Sequence, residues 1–148
     1  MSGPNYNDTT ILPLTTLGWQ TFTPTVSLVG GAGNTTPVYS TNTGRYIQIG
    51  RLVIVDVYLT GDGGNEGAGT GVINVSLPVT AGASHPGTRF DIGFFVNGTT
   101  EHPLFGTIAG SATTISLQRK NGAGTNIDVT GDDQNNVTRS LRLKFHYE

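Results

Sequence analysis

The sequence predicts an all-β domain, an antiparallel β-sandwich of the jelly-roll kind, and three observations carry that prediction. Helix formers are scarce, with charged residues at 12% of 148 residues against a usual soluble share of roughly 25%. From Trp19 onward the apolar residues recur with a period of two, the signature of a strand with one face buried. Glycine-rich turns separate these runs, as 22 Gly and 7 Pro allow, and short strands at such spacing suggest a sandwich or jelly roll. A helical bundle and a coiled coil are excluded. A net charge of −2 with regular apolar runs does not fit intrinsic disorder. The length suits one domain, expected over residues 19–148 with residues 1–18 as an extended arm.

In that arm Ser2 to Thr10 show no periodicity, and Pro13 interrupts the patch Ile11-Leu12-Pro13-Leu14, so the segment has little core of its own to bury. Ile11, Leu12, Leu14 and Leu17 suit burial against a neighbour; a frayed terminus is the other reading. Trp19–Val26 alternates as a first strand. Tyr46–Ile49 and Leu52–Leu59 follow, parted by Gly50-Arg51. In the second run Val53, Val55, Val57 and Leu59 share one face, with Leu52, Ile54, Asp56 and Tyr58 on the other. Both faces are mostly apolar, which predicts a central strand covered on both sides. Residues 61–71 are a glycine loop. Further strands are expected at Val72–Leu77, Thr88–Val96, Pro103–Ala109, Thr113–Gln118, Thr125–Val129 and Thr138–Tyr147. In the last, Leu141, Leu143, Phe145 and Tyr147 oppose Arg142, Lys144 and His146.

Charge and composition narrow the function classes. The eight Lys and Arg are scattered, without the basic stripe that nucleic-acid binding requires. No apolar run approaches a membrane span, and Met1–Leu17 has no basic, unbroken apolar export signal. Cysteine is absent, which removes disulfides and thiolate chemistry. A neutral Thr/Asn/Gly-rich surface without an export signal suits a protein released by lysis as part of a virus particle.

Catalytic motifs are thin. The glycine loop runs into a strand, whereas a dinucleotide-binding loop must open a helix. Asp62, Asn65 and Glu66 offer oxygens for a hard cation, but their spacing matches no calcium loop, and a flexible surface loop is the better reading. Asp132, Asp133, Gln134, Asn135 and Asn136 form a second such loop. The histidines His85, His102 and His146 join no nucleophile or metal-ligand motif. Asp56, inside an apolar strand, needs a charge partner, for which Arg45 or Arg51 is available, and it reads as a structural ion pair or an interface contact. No enzyme, catalytic residue, metal site or cofactor is expected.

Two segments carry a resemblance. Gly18-Trp19-Gln20-Thr21-Phe22-Thr23-Pro24 is followed by Gly44-Arg45-Tyr46-Ile47-Gln48-Ile49-Gly50-Arg51-Leu52-Val53 and then by Leu77-Pro78. This order, over most of residues 18–97, resembles small β-domains of tailed-bacteriophage virion proteins, which serve as tail-fibre receptor-binding tips or as capsid decorations. The resemblance implies a homotrimeric jelly roll, tumour-necrosis-factor-like in outline. The expected function is therefore a capsid decoration (cement) protein on the virion surface, partnered by the major capsid protein or a tail adaptor and by copies of itself. Tyr6, Ile11, Leu12, Leu14 and Leu17 would form its docking arm, and Tyr46, Val53, Val55, Asp56 and Val57 its subunit interface. The alternative is a tail-fibre or tail-spike tip that recognises host surface glycan. Its recognition loops would be 61–71, 81–87 and 131–136, bearing Asp62, Asn65, Glu66, Asp132, Asp133 and Asn135.

Overall fold

The computed structural model describes residues 18–62, 66–84 and 86–148. Among the described residues ten strands form one antiparallel sheet: β1 (Gln20–Phe22), β2 (Val26–Val29), β3 (Thr41–Ile49), β4 (Leu52–Asp62), β5 (Val72–Ser76), β6 (Pro86–Asn97), β7 (Thr100–Ala109), β8 (Thr114–Lys120), β9 (Asn126–Asp128) and β10 (Thr138–Tyr147). Their lateral order is β1-β3-β4-β10-β6-β7-β8-β5-β2, with β9 added on β8. The all-β, antiparallel expectation holds, and the period-two runs fall on strands.

The connection between β1 and β2 forces the sheet to curl. These strands sit at opposite ends of the lateral path, eight spacings of about 4.8 Å apart, so some 38 Å if flat. Only Thr23, Pro24 and Thr25 join them, and that stretch reaches at most about 14 Å. The linker ties both edges. Asn42 Nδ2 on β3 donates to the Pro24 carbonyl at 2.7 Å, and Ser76 on β5 donates its N–H to the Thr25 carbonyl at 2.9 Å. The expected single strand Trp19–Val26 is thus two strands, broken where Pro24 has no N–H to give a ladder.

Inside the curl lies one core. β4 contributes Val53, Val55, Val57 and Leu59; β10 contributes Leu141, Leu143, Phe145 and Tyr147; Ile73, Val75, Ile92, Phe95, Leu104, Ile108, Ile115 and Leu117 complete most of it. In β6 both Ile92 and Phe95 point inward, each 1% exposed, although strict alternation would put residues three apart on opposite faces. A register shift between Asp91 and Gly93 resolves this: the bulge resets the alternation and turns Phe94 outward. Gly93 holds φ at +136°, and a side chain there would strike the Arg142 carbonyl.

β4 is central, between β3 and β10, as its composition predicts. It is not covered on both sides. Its outer residues Ile54 and Asp56 are half-buried and Tyr58 is exposed, because the curl closes over one face only.

Candidate functional site

The outer face of the β3-β4-β10-β6 sector is built row by row from the strand register. Arg45, Asp56 and Lys144 form one cross-strand row, and Thr43, Tyr58, Arg142 and Phe94 form the next. Arg45 donates to Asp56 Oδ2 from Nε at 3.0 Å and from Nη2 at 2.7 Å, and its guanidinium also lies 4.8 Å from the Trp19 ring centroid. Arg142 stands between two aromatic rings, 4.5 Å from Tyr58 and 5.9 Å from Phe94, the geometry of a cation over ring faces. Asp56, Tyr58, Gly93, Phe94, Arg142 and Lys144 line an open groove of about 330 Å³. Among the described residues the ion pairs are Arg45–Asp56 and Arg119–Asp133, so neither Arg142 nor Lys144 has a carboxylate.

Towards the Gly50 turn the β1, β3 and β4 part of this face becomes apolar, while β10 presents the exposed His146 opposite Ile54. Ile47 pairs with Ile54, and Trp19 and Ile49 are 46% and 48% exposed. The outer face therefore has an aromatic-cationic half and an aliphatic half, divided by the Arg45–Asp56 pair.

The interface expectation is corrected by these positions. Val53, Val55 and Val57 are at most 2% exposed and belong to the core, so their surface is already spent within the chain. Tyr46 is half-buried on the inner side, edge-on to Phe22 at 6.0 Å, with its hydroxyl donating to Gln20 Oε1 at 2.6 Å. Of the five, Asp56 alone looks outward, and its partner is Arg45 rather than Arg51. The arm residues Tyr6, Ile11, Leu12, Leu14 and Leu17 lie outside the described residues.

Of the expected recognition residues, Asp132 and Asn135 are exposed, and two of the three loops meet. Loops 66–71 and 131–136 do converge, but into a clamp. Gly67 N–H donates to the Gln134 carbonyl at 2.9 Å, and Gly69 N–H to Asp132 Oδ1 at 2.7 Å. Asp133, its side chain 16% exposed, binds Arg119 at 2.7 Å and accepts from Thr130 N–H at 2.9 Å. Gln134 is fully buried beneath the Tyr39 hydroxyl, which donates to its Oε1 at 3.1 Å. Asn135 is exposed beside Asn97, and Glu66 is half-buried. Asp62 ends β4 without a described side chain, and Asn65 lies outside the described residues. Residues 81 and 82 sit at the opposite end of β10, where Gly82 N–H meets the Glu148 carbonyl at 2.7 Å. Residues 81 and 82 therefore lie away from the other two loops.

Two features escaped the sequence reading. Arg139 is 1% exposed; it donates to the carbonyls of Asn136, at 2.9 Å, and Val38, and lies 5.6 Å from the Tyr39 ring centroid. Burial raises the Tyr39 hydroxyl pKa far above its ordinary value, with Arg139 opposing the shift. The alternation of β10 is the only sequence signal for this inward arginine. The second is the Tyr58–Arg142–Phe94 stack. Alternation gives Tyr58 and Arg142 an outer side, but their meeting depends on register and on the bulge that turns Phe94 out. No protein-family model, curated protein or solved structure matches this chain.

Proposed function

We propose that this chain is a non-enzymatic surface protein of a bacteriophage virion, a capsid decoration protein that binds and stabilises the assembled shell as a homotrimeric jelly roll. The observation that supports this reading most directly is the polarity of the molecule. β1 runs antiparallel to β3 with Gln20 opposite Tyr46, so Gly18, where the arm joins, lies towards the Gly50 turn. Loop 30–35, which exchanges backbone hydrogen bonds with Ala68 through Thr35 and accepts from Gly71 N–H at Asn34 Oδ1, lies with the clamped loops 66–71 and 131–134 at the far end. An arm at the base can grip coat subunits while the clamped end faces outward, and binding only the assembled shell stabilises it by mass action. The aliphatic half of the outer face, with Trp19 and Ile49, is the surface proposed for contact between protomers.

Immunogold electron microscopy of the parent particle tests the assignment. Gold over the head supports decoration; gold at the tail end supports the receptor-binding tip; a bare particle refutes the virion reading. Deleting residues 1–17 is expected to abolish shell binding and to leave a folded trimer, and retained binding refutes the docking arm. The tip reading has its own support in the aromatic-cationic groove, since a glycan-recognising surface needs aromatic planes and fixed polar groups.

A further inference from the structure

The groove between Tyr58 and Phe94 is unused by the core, the clamp and the aliphatic margin. Its chemistry narrows what can occupy it. Among the described residues neither Arg142 nor Lys144 forms an ion pair, and the groove carboxylate, Asp56 opposite Lys144, is already held by Arg45, so the groove carries an excess of positive charge and its occupant is anionic. A second copy of the same face would set Arg142 and Lys144 against their own kind, which is unfavourable. An extended peptide gains affinity by adding a strand at a sheet edge, and β4, β10 and β6 are interior strands already paired on both sides. Two cations are too few for a polyanionic nucleic-acid backbone, whose affinity grows with each phosphate neutralised.

What remains is a small, ring-shaped anion with an apolar face. We infer that the groove binds an acidic sugar unit of a glycan chain. The carboxylate lies on Arg142 and Lys144, and the C–H face of the ring stacks on Tyr58 or Phe94. Arg142 suits the first contact because a guanidinium meets a carboxylate through two parallel N–H donors, and the flanking rings hold it in place. Asp56, at the groove's end, accepts from Arg45 with one oxygen, Oδ2, and Oδ1 is left for a sugar hydroxyl. The groove volume of about 330 Å³ lies at the lower end of the range for small-ligand sites, roughly 300–1,000 Å³. The inference holds for a chain on the head or on the tail, so its failure leaves the virion proposal standing, and gold-free particles leave it standing in turn.

The test is an amide NMR titration of the full chain with oligogalacturonate and with polysialic acid. Maltohexaose serves as the neutral control and polyglutamate as the acidic-peptide control. Shifts confined to the surroundings of Tyr58, Phe94, Arg142 and Lys144, with an affinity that weakens as salt rises, are expected from at least one acidic glycan. Arg142→Ala is expected to lower that affinity about tenfold or more, Lys144→Gln to lower it less, and Lys120→Gln, away from the groove, to leave it unchanged. If Arg142→Ala alters the unfolding midpoint, Lys144→Gln carries the test. No response to either acidic glycan at about 10 mM, where a site with a Kd of about 1 mM would be nearly saturated, overturns the inference. So does an equal response to maltohexaose, or an unchanged affinity in both groove variants. An equal response to polyglutamate overturns it in favour of an acidic protein partner.

Discussion

The two faces of the β4–β10 pair share a backbone and differ in everything else. Inward, eight aliphatic and aromatic side chains from Val53 to Tyr147 are at most 5% exposed. Outward, one residue away in each case, Ile54, Asp56, Tyr58, Arg142, Lys144 and His146 meet solvent or one another. Folding free energy therefore resides on one side of the strands and the capacity for recognition on the other. The sharpest contrast is between neighbours. Leu143→Ala removes a core side chain and is expected to cost about 2–5 kcal/mol, read as a lower urea midpoint. Arg142→Ala, which removes the contacts with the Tyr58 and Phe94 rings, is expected to cost about 1 kcal/mol or less. Comparable losses at both positions would show that the outer face also holds the fold together.

Arg139 complicates this division, because it is a cation on the inner side of β10. Its guanidinium closes the loop end of the curl by satisfying the Val38 and Asn136 carbonyls. Gly61 leaves the room for it, since a Cβ there would lie 2.6 Å from the Arg139 Cζ. Arg139→Ala is expected to destabilise by roughly 1.5–3 kcal/mol, the range for hydrogen bonds to a charged group. The loop end should open first, seen as faster amide exchange at Gly67 and Gly69 than at Val55.

Tyr147 marks the opposite end. Its hydroxyl donates to the Val79 carbonyl at 2.6 Å and accepts from Val79 N–H at 3.2 Å. Burial is the main cause that pushes its pKa up to about 12, against 10.0 ordinarily. A phenol that ionises later in the folded state than in the unfolded state stabilises below the unfolded pKa and loses that stabilisation as pH rises through the folded one. Stability is therefore expected to fall between about pH 10 and 12, and Tyr147→Phe should flatten the fall in that window. An identical alkaline profile in the variant would assign the loss to other groups, with Tyr39 the first to examine.

Most of the strand content was legible, because alternation reads directly as faces: β10 is the predicted run Thr138–Tyr147. What alternation cannot show is where it is interrupted. Pro24 divides one apparent strand between two sheet edges, and the shift near Gly93 turns Phe94 outward where the pattern alone would bury it with Ile92. Apolar character on both faces of β4 suggested cover on both sides, yet Ile54 and Tyr58 stay open because curling closes one face only. The 131–136 loop read as a free acidic loop because the partners of Asp132 and Asp133, Gly69 and Arg119, are distant in sequence. The groove depends on register between three strands, which no single segment encodes.

The smallest expected effects compare the two ion pairs, one on each side of that division. Arg45 and Asp56, with side chains 56% and 32% exposed, form a surface pair, whereas Arg119 and Asp133, at 21% and 16%, are largely covered. Screening by water and salt weakens the first more than the second. Asp133 also accepts from Thr130, so its carboxylate anchors the clamp as well as the pair. Double-mutant cycles with Arg→Gln and Asp→Asn are expected to give Arg45–Asp56 a coupling of about 0–0.5 kcal/mol, and Arg119–Asp133 about 1 kcal/mol. Raising salt should erase most of the first and less of the second. If the exposed pair proves the stronger, the Trp19 ring over Arg45 is the natural reason, and Trp19→Ala should then bring its coupling down to the surface value. The outer face would in that case be braced as well as open, and Arg45 would hold the boundary between its aliphatic and aromatic-cationic halves.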